Sequence, residues 1–513
     1  MKYKKSTDLY KLIKALSGSE KRYFKLYTAQ HARKGRKIYL HLFDLLEHQE
    51  KYDPSEIEDD KLFKSEQIPN LKSYLYKLIL KSLQAFRSES SPLRELKETL
   101  LHVESLFEKA LYEQCKQLLG KAKKQAYRYE IYPALLEIIN WEKAIISSEI
   151  ESGKVTQHEQ DVNALHRETK EACERILNSN DYWVLGKQLY LLSIKDDVLR
   201  SHEDRVKYEA IISNPLFSRK NLPESYIGRV YYYQSYGLYY RAMGNLAESY
   251  KWYKKVVEWT EVNPHQKMHN YLSLYIPALT TFIRICGELR KYDEVIDTLK
   301  KLRAIPARSI LLRLRIFIFS FPNELAMYIE KGEFEHGLAR ANEDLPMFES
   351  LSVKVEKVYR LITWFNIAYL HFGCRKYSDA SRWLNRILNE TEADFREDLQ
   401  CFARIFSLVV HFELGNQDLL EYIVKSTYRF LLKRNKLYKV ETAVLDFIRK
   451  RVPKISSEKE LLASFKDLKA ELTRITSDPF EKKAMEYFDV ISWLESKIEK
   501  KSFAEIMKRK AAA

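Results

Sequence analysis

Residues 229–264 read RVYYYQSYGLYYRAMGNLAESYKWYKKVVEWTEVNP, from Arg229 to Pro264. Between Val230 and Met243 no proline interrupts, and Tyr233, Tyr236, Gly237 and Tyr240 fall at i, i+3, i+4 and i+7. That spacing places all four on one face of a 3.6-residue helix. Gly244-Asn245 then supplies a break, because glycine readily takes the left-handed conformation that ends helices. A second helix follows, with Leu246, Ser249, Tyr250, Tyr253, Val256 and Val257 on its inner face, and Pro264 marks its stop. Small Gly237 and small Ser249 let the two backbones approach closely, so the stretch predicts a hairpin of helices.

The unit recurs. Aligned on the turn, a later copy has Trp364, Ile367, Ala368, Tyr377, Ala380, Leu384 and Ile387, and another has Phe321, Tyr328, Gly332, Phe334 and Gly337. Fainter copies hold Tyr292, Val295, Leu299 and Leu302; Gly415 and Leu420; and, upstream, Tyr112, Cys115, Leu119 and Ala122. The turns at Gly244, Arg290, Gly332, Arg375 and Gly415 step by 46, 42, 43 and 40 residues.

These residues resemble a tetratricopeptide repeat, whose pattern of aromatic, small and turn-glycine positions is met here by Tyr233, Tyr236, Gly237, Tyr240, Gly244, Ser249 and Tyr253. Val256 stands where alanine is usual, and the copies are longer than the family's unit of about 34 residues. The expectation is therefore an all-α, TPR-like α-α superhelix, a solenoid of helical hairpins over residues 100–450. The resemblance implies a protein or peptide ligand in a groove lined by the first helix of each pair. Carried over by position, that groove holds Tyr231, Gln234, Leu238 and Arg241, then Arg284, then Phe365, Tyr369 and Phe372. Chaperone-tail binders of the family clamp a carboxylate with Lys and Asn; Gln234 and Leu238 stand at those places, so a hydrophobic segment is the expected ligand. Tyr231, Tyr232 and Tyr239 lie off the helix's inner stripe and are further candidates to line the groove, since tyrosine gives contact area with a polar end.

Composition agrees with an all-helical chain. In 513 residues glycine and proline number 13 each, 31% of residues are charged and 45% are hydrophobic. Typical usage is about 7% glycine and 5% proline. A chain of this length exceeds what one core serves, so several units or an array are expected. The start, MKYKKSTDLYKLIKAL, has no apolar core of a secretory signal. The uncharged stretch from Asn270 to Ile283 contains Pro277 and is too short to span a bilayer. A cytoplasmic protein is expected, with Cys115, Cys173, Cys286, Cys374 and Cys401 as reduced thiols.

Residues 1–92 read as a basic helical domain, 93–452 as the repeat array and 453–513 as helices that cap its end. Within the first, Ser17 and Glu20 form a capping box opening a second helix, and Leu71, Leu75, Leu78, Ile79 and Phe86 face inward on a later one. Twelve Lys and Arg in residues 1–40, against Asp8 and Glu20, account for +10 of the net +16. Lys21, Arg22, Lys25, Arg33, Lys34, Arg36, Lys37, Lys72 and Lys81 form the candidate basic surface. It supports an alternative reading, a transcriptional regulator with a nucleic-acid-binding domain in residues 1–90 and peptide-sensing repeats. The competing reading is a helical cap with a solvated face, and charge is the whole of the nucleic-acid signal. The first and last segments also resemble uncharacterised proteins of Bacteroidetes bacteria, a likeness that carries no known activity.

Catalytic motifs are missing. His265 and His269 have metal-ligand spacing, but Gln266 stands where a zinc protease needs its glutamate base. Gly153-Lys154 lacks the upstream glycine and following hydroxyl of a phosphate loop. Asp59-Asp60 and Asp196-Asp197 sit in charged surroundings that suit solvated faces. The expectation is a non-catalytic binding scaffold with no cofactor and no metal.

Overall fold

A computed structural model describes residues 7–31, 36–86, 92–153, 159–195, 202–218, 222–265, 271–307, 310–351, 355–390, 397–434 and 437–512. Among these residues the secondary structure is helical, with no strand. Among the described residues no helix is long and apolar enough to cross a membrane. The chain divides into two compact units, Met1–Ser105 and Leu106–Ala513.

The first unit holds α1 (Thr7–Ala15), α2 (Gly18–His31), α3 (Arg36–His48), the short α4 (Ser55–Glu58), α5 (Ile68–Phe86) and most of α6 (Pro92–Phe107). Its core joins Leu9, Ile13, Phe24, Phe43, Leu75 and Ile79. The capping box forms as expected: Ser17 Oγ accepts from the Glu20 amide at 3.3 Å, and Glu20 Oε2 accepts from the Ser17 amide at 2.8 Å. Helix α5 begins before Pro69-Asn70, because proline in a first turn sacrifices no helical hydrogen bond. The unit ends inside α6, beyond the boundary expected at residue 92.

The second unit is a run of helix pairs. It comprises α7 (Tyr112–Arg128), α8 (Tyr132–Glu151), α9 (Glu159–Lys195), α10 (His202–Ile212), α11 (Tyr226–Ala242) and α12 (Leu246–Glu261). Then come α13 (Ile276–Glu288), α14 (Tyr292–Arg303), α15 (Ile310–Glu330), α16 (Phe334–Leu351), α17 (Lys357–Gly373) and α18 (Tyr377–Leu388). The last are α19 (Glu397–Glu413), α20 (Gln417–Lys433), α21 (Lys439–Asp446), α22 (Glu458–Ile475), α23 (Pro479–Lys482), α24 (Val490–Glu499) and α25 (Phe503–Ala512). From α11 to α20 each helix packs on the next, and the first helices α13, α15, α17 and α19 also pack on one another in succession. This nearest-neighbour pattern is that of a helical repeat.

One turn is used throughout. Ala110, Glu130, Gly244, Arg290, Gly332, Arg375 and Gly415 all have positive φ, from 52° to 77°. At each, the following amide returns to the carbonyl five residues back, as in Asn245 to Tyr240 at 2.8 Å and Lys376 to His371 at 2.9 Å. This is the Schellman end of a helix, and it satisfies carbonyls that would otherwise be orphaned. The five turns read from the sequence all have this geometry, including the two held by arginine.

Within the founding pair, Ser249 Oγ donates to the Gly237 carbonyl at 2.8 Å. A Cβ on Gly237 would stand 2.4 Å from the Tyr253 ring, so only glycine permits this approach. Tyr232 departs from expectation. It is buried with Tyr182, Phe217, Tyr236 and Trp252, because α9 covers the side of α11 that a lone hairpin would leave exposed. The segment expected to cap the array shares its core: Phe465, Leu468, Trp493, Leu494 and Phe503 belong to the same cluster as Val230 and Leu279. Cys115, Cys286 and Cys401 are buried, and Cys173 and Cys374 are partly so.

Candidate functional site

The candidate groove residues divide by position. On α11, Tyr231, Gln234 and Leu238 are half-buried. Tyr231 lies against Gly186 of α9, and Leu238 packs against Leu189 and Tyr208. Arg241 is buried and pairs with Glu288 of α13 at 2.7 Å, which ties two successive first helices together. Arg284 is half-buried one turn earlier on α13, and its charge acts on the Tyr253 and Tyr359 hydroxyls.

Phe365, Tyr369 and Phe372 do not line an open face. They are buried, and the chain's own last segment covers them. Phe488 stacks on Phe406 at 4.4 Å and meets Tyr369 and Phe372 at 5.2 Å each. Phe503 then enters a pocket walled by Phe334, Tyr369, Phe372 and Phe488, at centroid distances of 5.6, 6.1, 5.4 and 5.9 Å. Gly373 makes room for this cluster, since a Cβ there would stand 2.1 Å from the Phe334 ring. The Tyr369 hydroxyl accepts from the Asp489 amide at 3.3 Å. Burial, with Asp489 nearby, pushes that hydroxyl's pKa far up, so it stays protonated.

Two further anchors hold the segment. Trp493, fully buried, donates its indole N–H to Glu413 Oε1 at 2.5 Å, and Lys497 reaches Glu413 at 2.6 Å. Tyr487 lies flat on Phe402 at 4.1 Å and bonds Asp398 through its hydroxyl. Helix α25 then runs past the array's turns. The Arg290 guanidinium donates to the Lys510 carbonyl, Lys508 meets Gly332, and Arg375 and Glu505 feel each other's charge. Two successive hairpin turns therefore touch one helix, and the charge of Arg375 at a third acts on it.

Between the first two of these turns sits an unusual carboxylate. Glu330 Oε2 is inaccessible to solvent and no protein donor reaches it. Burial and the neighbouring Glu288 raise its pKa to about 8, against the opposing pull of Arg290. A protonated carboxylic acid is the form this place accepts at neutral pH.

The candidate basic surface is partly neutralised. Lys21 pairs with Glu47 at 3.1 Å, and Lys25 pairs with Asp44 at 2.7 Å and Glu47 at 3.2 Å. Lys72 donates to the Tyr52 hydroxyl at 3.2 Å. Arg22, Lys37 and Lys81 are exposed. Arg33 and Lys34 lie outside the described residues, as does the side chain of Arg36. Among the described residues no group of His, Cys, Asp and Glu has the arrangement of a metal site; His269 lies outside them, and His265 bonds Arg128 at 2.6 Å.

Sequence reasoning missed the residues that fill the pocket: Phe334 as a wall, Phe488 as a floor and Phe503 as the occupant. One signal was available. Ser502-Phe-Ala-Glu505 is a second capping box, and it announces a helix that starts with an aromatic residue. No protein-family model matches this chain, and no curated protein is significantly similar to it.

Proposed function

We propose that this chain is a non-catalytic, TPR-like scaffold that binds a protein or peptide partner on the face formed by the first helices of its pairs. The reading is supported by one observation above the rest: the repeat already holds a helix, α25, against two of its turns and in an aromatic pocket. A superhelical array of such pairs would present this kind of surface again along its length. Gln234, Leu238 and Arg284 mark the stretch that remains half-buried. A mainly apolar segment fits it, because Leu238 and the apolar stems of its polar neighbours offer such a segment contact area.

The test is selection of displayed peptides on the full chain, followed by affinity measurements on Leu238→Glu and Arg284→Glu. The expected result is enrichment of apolar peptides whose binding falls at least tenfold in either variant. Failure to enrich any peptide, or unchanged affinity in both variants, would contradict the reading. The regulator reading gains no specific support, since Lys21 and Lys25 are spent on Glu47 and Asp44. It predicts duplex binding that weakens steeply with salt.

A further inference from the structure

Helix α25 is attached to the rest of the chain through an aromatic first turn, an apolar side and a charged end. Its buried apolar side chains are Phe503 and Ile506, and its principal helix partner is α24. The link between these two helices turns through Lys500, a non-glycine residue at φ 55°. After it, Ser502 and Glu505 cap a new helix: Glu505 Oε2 accepts from the Ser502 amide at 2.7 Å, and Ser502 Oγ accepts from the Glu505 amide at 3.2 Å. The first turn of α25 is therefore completed by its own residues. It does not depend on α24 for its start.

The surface beneath α25 has a definite chemistry. The Phe334–Tyr369–Phe372–Phe488 pocket takes an aromatic ring at the helix's first position. Ile506 lies buried three residues on. At the far end, Arg509 is gripped by Glu499 through two bonds of 2.6 and 2.7 Å, and Lys510 meets Glu495 at 2.9 Å and Asp489 at 3.5 Å. Those carboxylates belong to α24 and its cap, so they stay with the repeat if α25 leaves. Arg290, at the turn, donates to the Lys510 carbonyl near the helix's end.

We infer that α25 is an intramolecular ligand, a separable helix that fills this pocket until a partner's helix of the same chemistry displaces it. The partner's helix carries an aromatic residue first, an aliphatic residue three positions later and basic residues in its last turn. This inference rests on the partner-binding reading above and names the class of partner for one part of the face. Apolar rings give the contact its strength, and the acidic rim selects the basic end.

The test uses a fluorescent peptide of residues 501–512, KSFAEIMKRKAA, and the full chain. Anisotropy titrations are run on the wild type and on Phe503→Ala, in which the internal occupant is weakened and the pocket is kept. The expected result is at least tenfold tighter binding to Phe503→Ala than to the wild type, and none by a peptide carrying alanine at Phe503. A second form guards against misfolding: the wild-type chain with a protease site at Lys500-Lys501, cut after folding, should exchange its own α25 for the labelled peptide. The inference is overturned if neither form takes up peptide, or if loosening α25 unfolds α17 and α19 with it. Failure of the partner-binding reading is seen separately, as peptide exchange at this pocket with no foreign segment ever selected elsewhere on the face.

Discussion

Gly332 and Lys508 meet so closely that no side chain fits between them: a Cβ on Gly332 would stand 2.6 Å from the Lys508 main-chain nitrogen. Gly332 also has φ +68°, the left-handed conformation that ends α15. One position thus serves both the hairpin turn and the seat of α25. Gly332→Val offends on both counts and should cost about 1–3 kcal/mol. Denaturant unfolding gives the cost, and limited proteolysis near Lys500 should reveal a loosened α25.

Arg290 and Arg375 adopt the same left-handed conformation without being glycine. Arg375→Gly should stabilise the chain by up to about 1 kcal/mol, since the steric penalty disappears at a modest entropic cost. Arg290→Gly should gain less, because it also removes the bond to the Lys510 carbonyl. Paired melting curves measure the difference, which is the worth of that bond. Equal gains would mean that Arg290 contributes nothing to holding α25.

Glu330 should make stability depend on pH. Its pKa rises from the ordinary 4.5 to about 8, through burial first and Glu288 second. A carboxyl whose folded pKa is raised contributes stability that is complete below about 4.5 and is lost as pH climbs through about 8. Glu330→Gln should flatten the stability profile across that window. At pH 8 the variant should be more stable by roughly 1–3 kcal/mol, a figure discounted for the part of the side chain that still meets solvent. A profile identical to wild type would show that Glu330 is hydrated.

Arg241 and Glu288 form a largely buried ion pair between α11 and α13. Glu288→Ala takes the carboxylate from a buried guanidinium and should cost about 2–4 kcal/mol. Replacing both by Met and Leu should recover most of the loss, because apolar packing replaces a desolvated pair. Chemical denaturation of the two single variants and the double variant measures the coupling.

The hairpins were legible because their punctuation is local. A small residue, a fixed interval and a hydrophobic stripe locate a turn even where arginine holds it, as at Arg290 and Arg375. Burial was legible only where one neighbour decides it. Tyr233, Tyr236 and Tyr240 mark the side of α11 that faces α12, but Tyr232 is buried by α9, which periodicity within residues 229–264 cannot report. The same limit applied to the site. Phe365, Tyr369 and Phe372 have the spacing of an inner face, and only the fold reveals that residues 487–503 come back to cover them. Long-range return of a segment leaves no periodic trace. It leaves a capping box and unexplained aromatics, and here Ser502–Glu505 and Phe503 were those traces.

Hydrogen exchange across the full chain, read by mass spectrometry for wild type and Gly332→Val, tests the docked helix most directly. In the wild type the amides of α25 should exchange far more slowly than in the free peptide. In Gly332→Val they should lose that protection while α17 and α19 keep theirs. Exchange of α25 at the free-peptide rate in the wild type would contradict its docking, and loss of protection in α17, α19 and α25 together would contradict its separability.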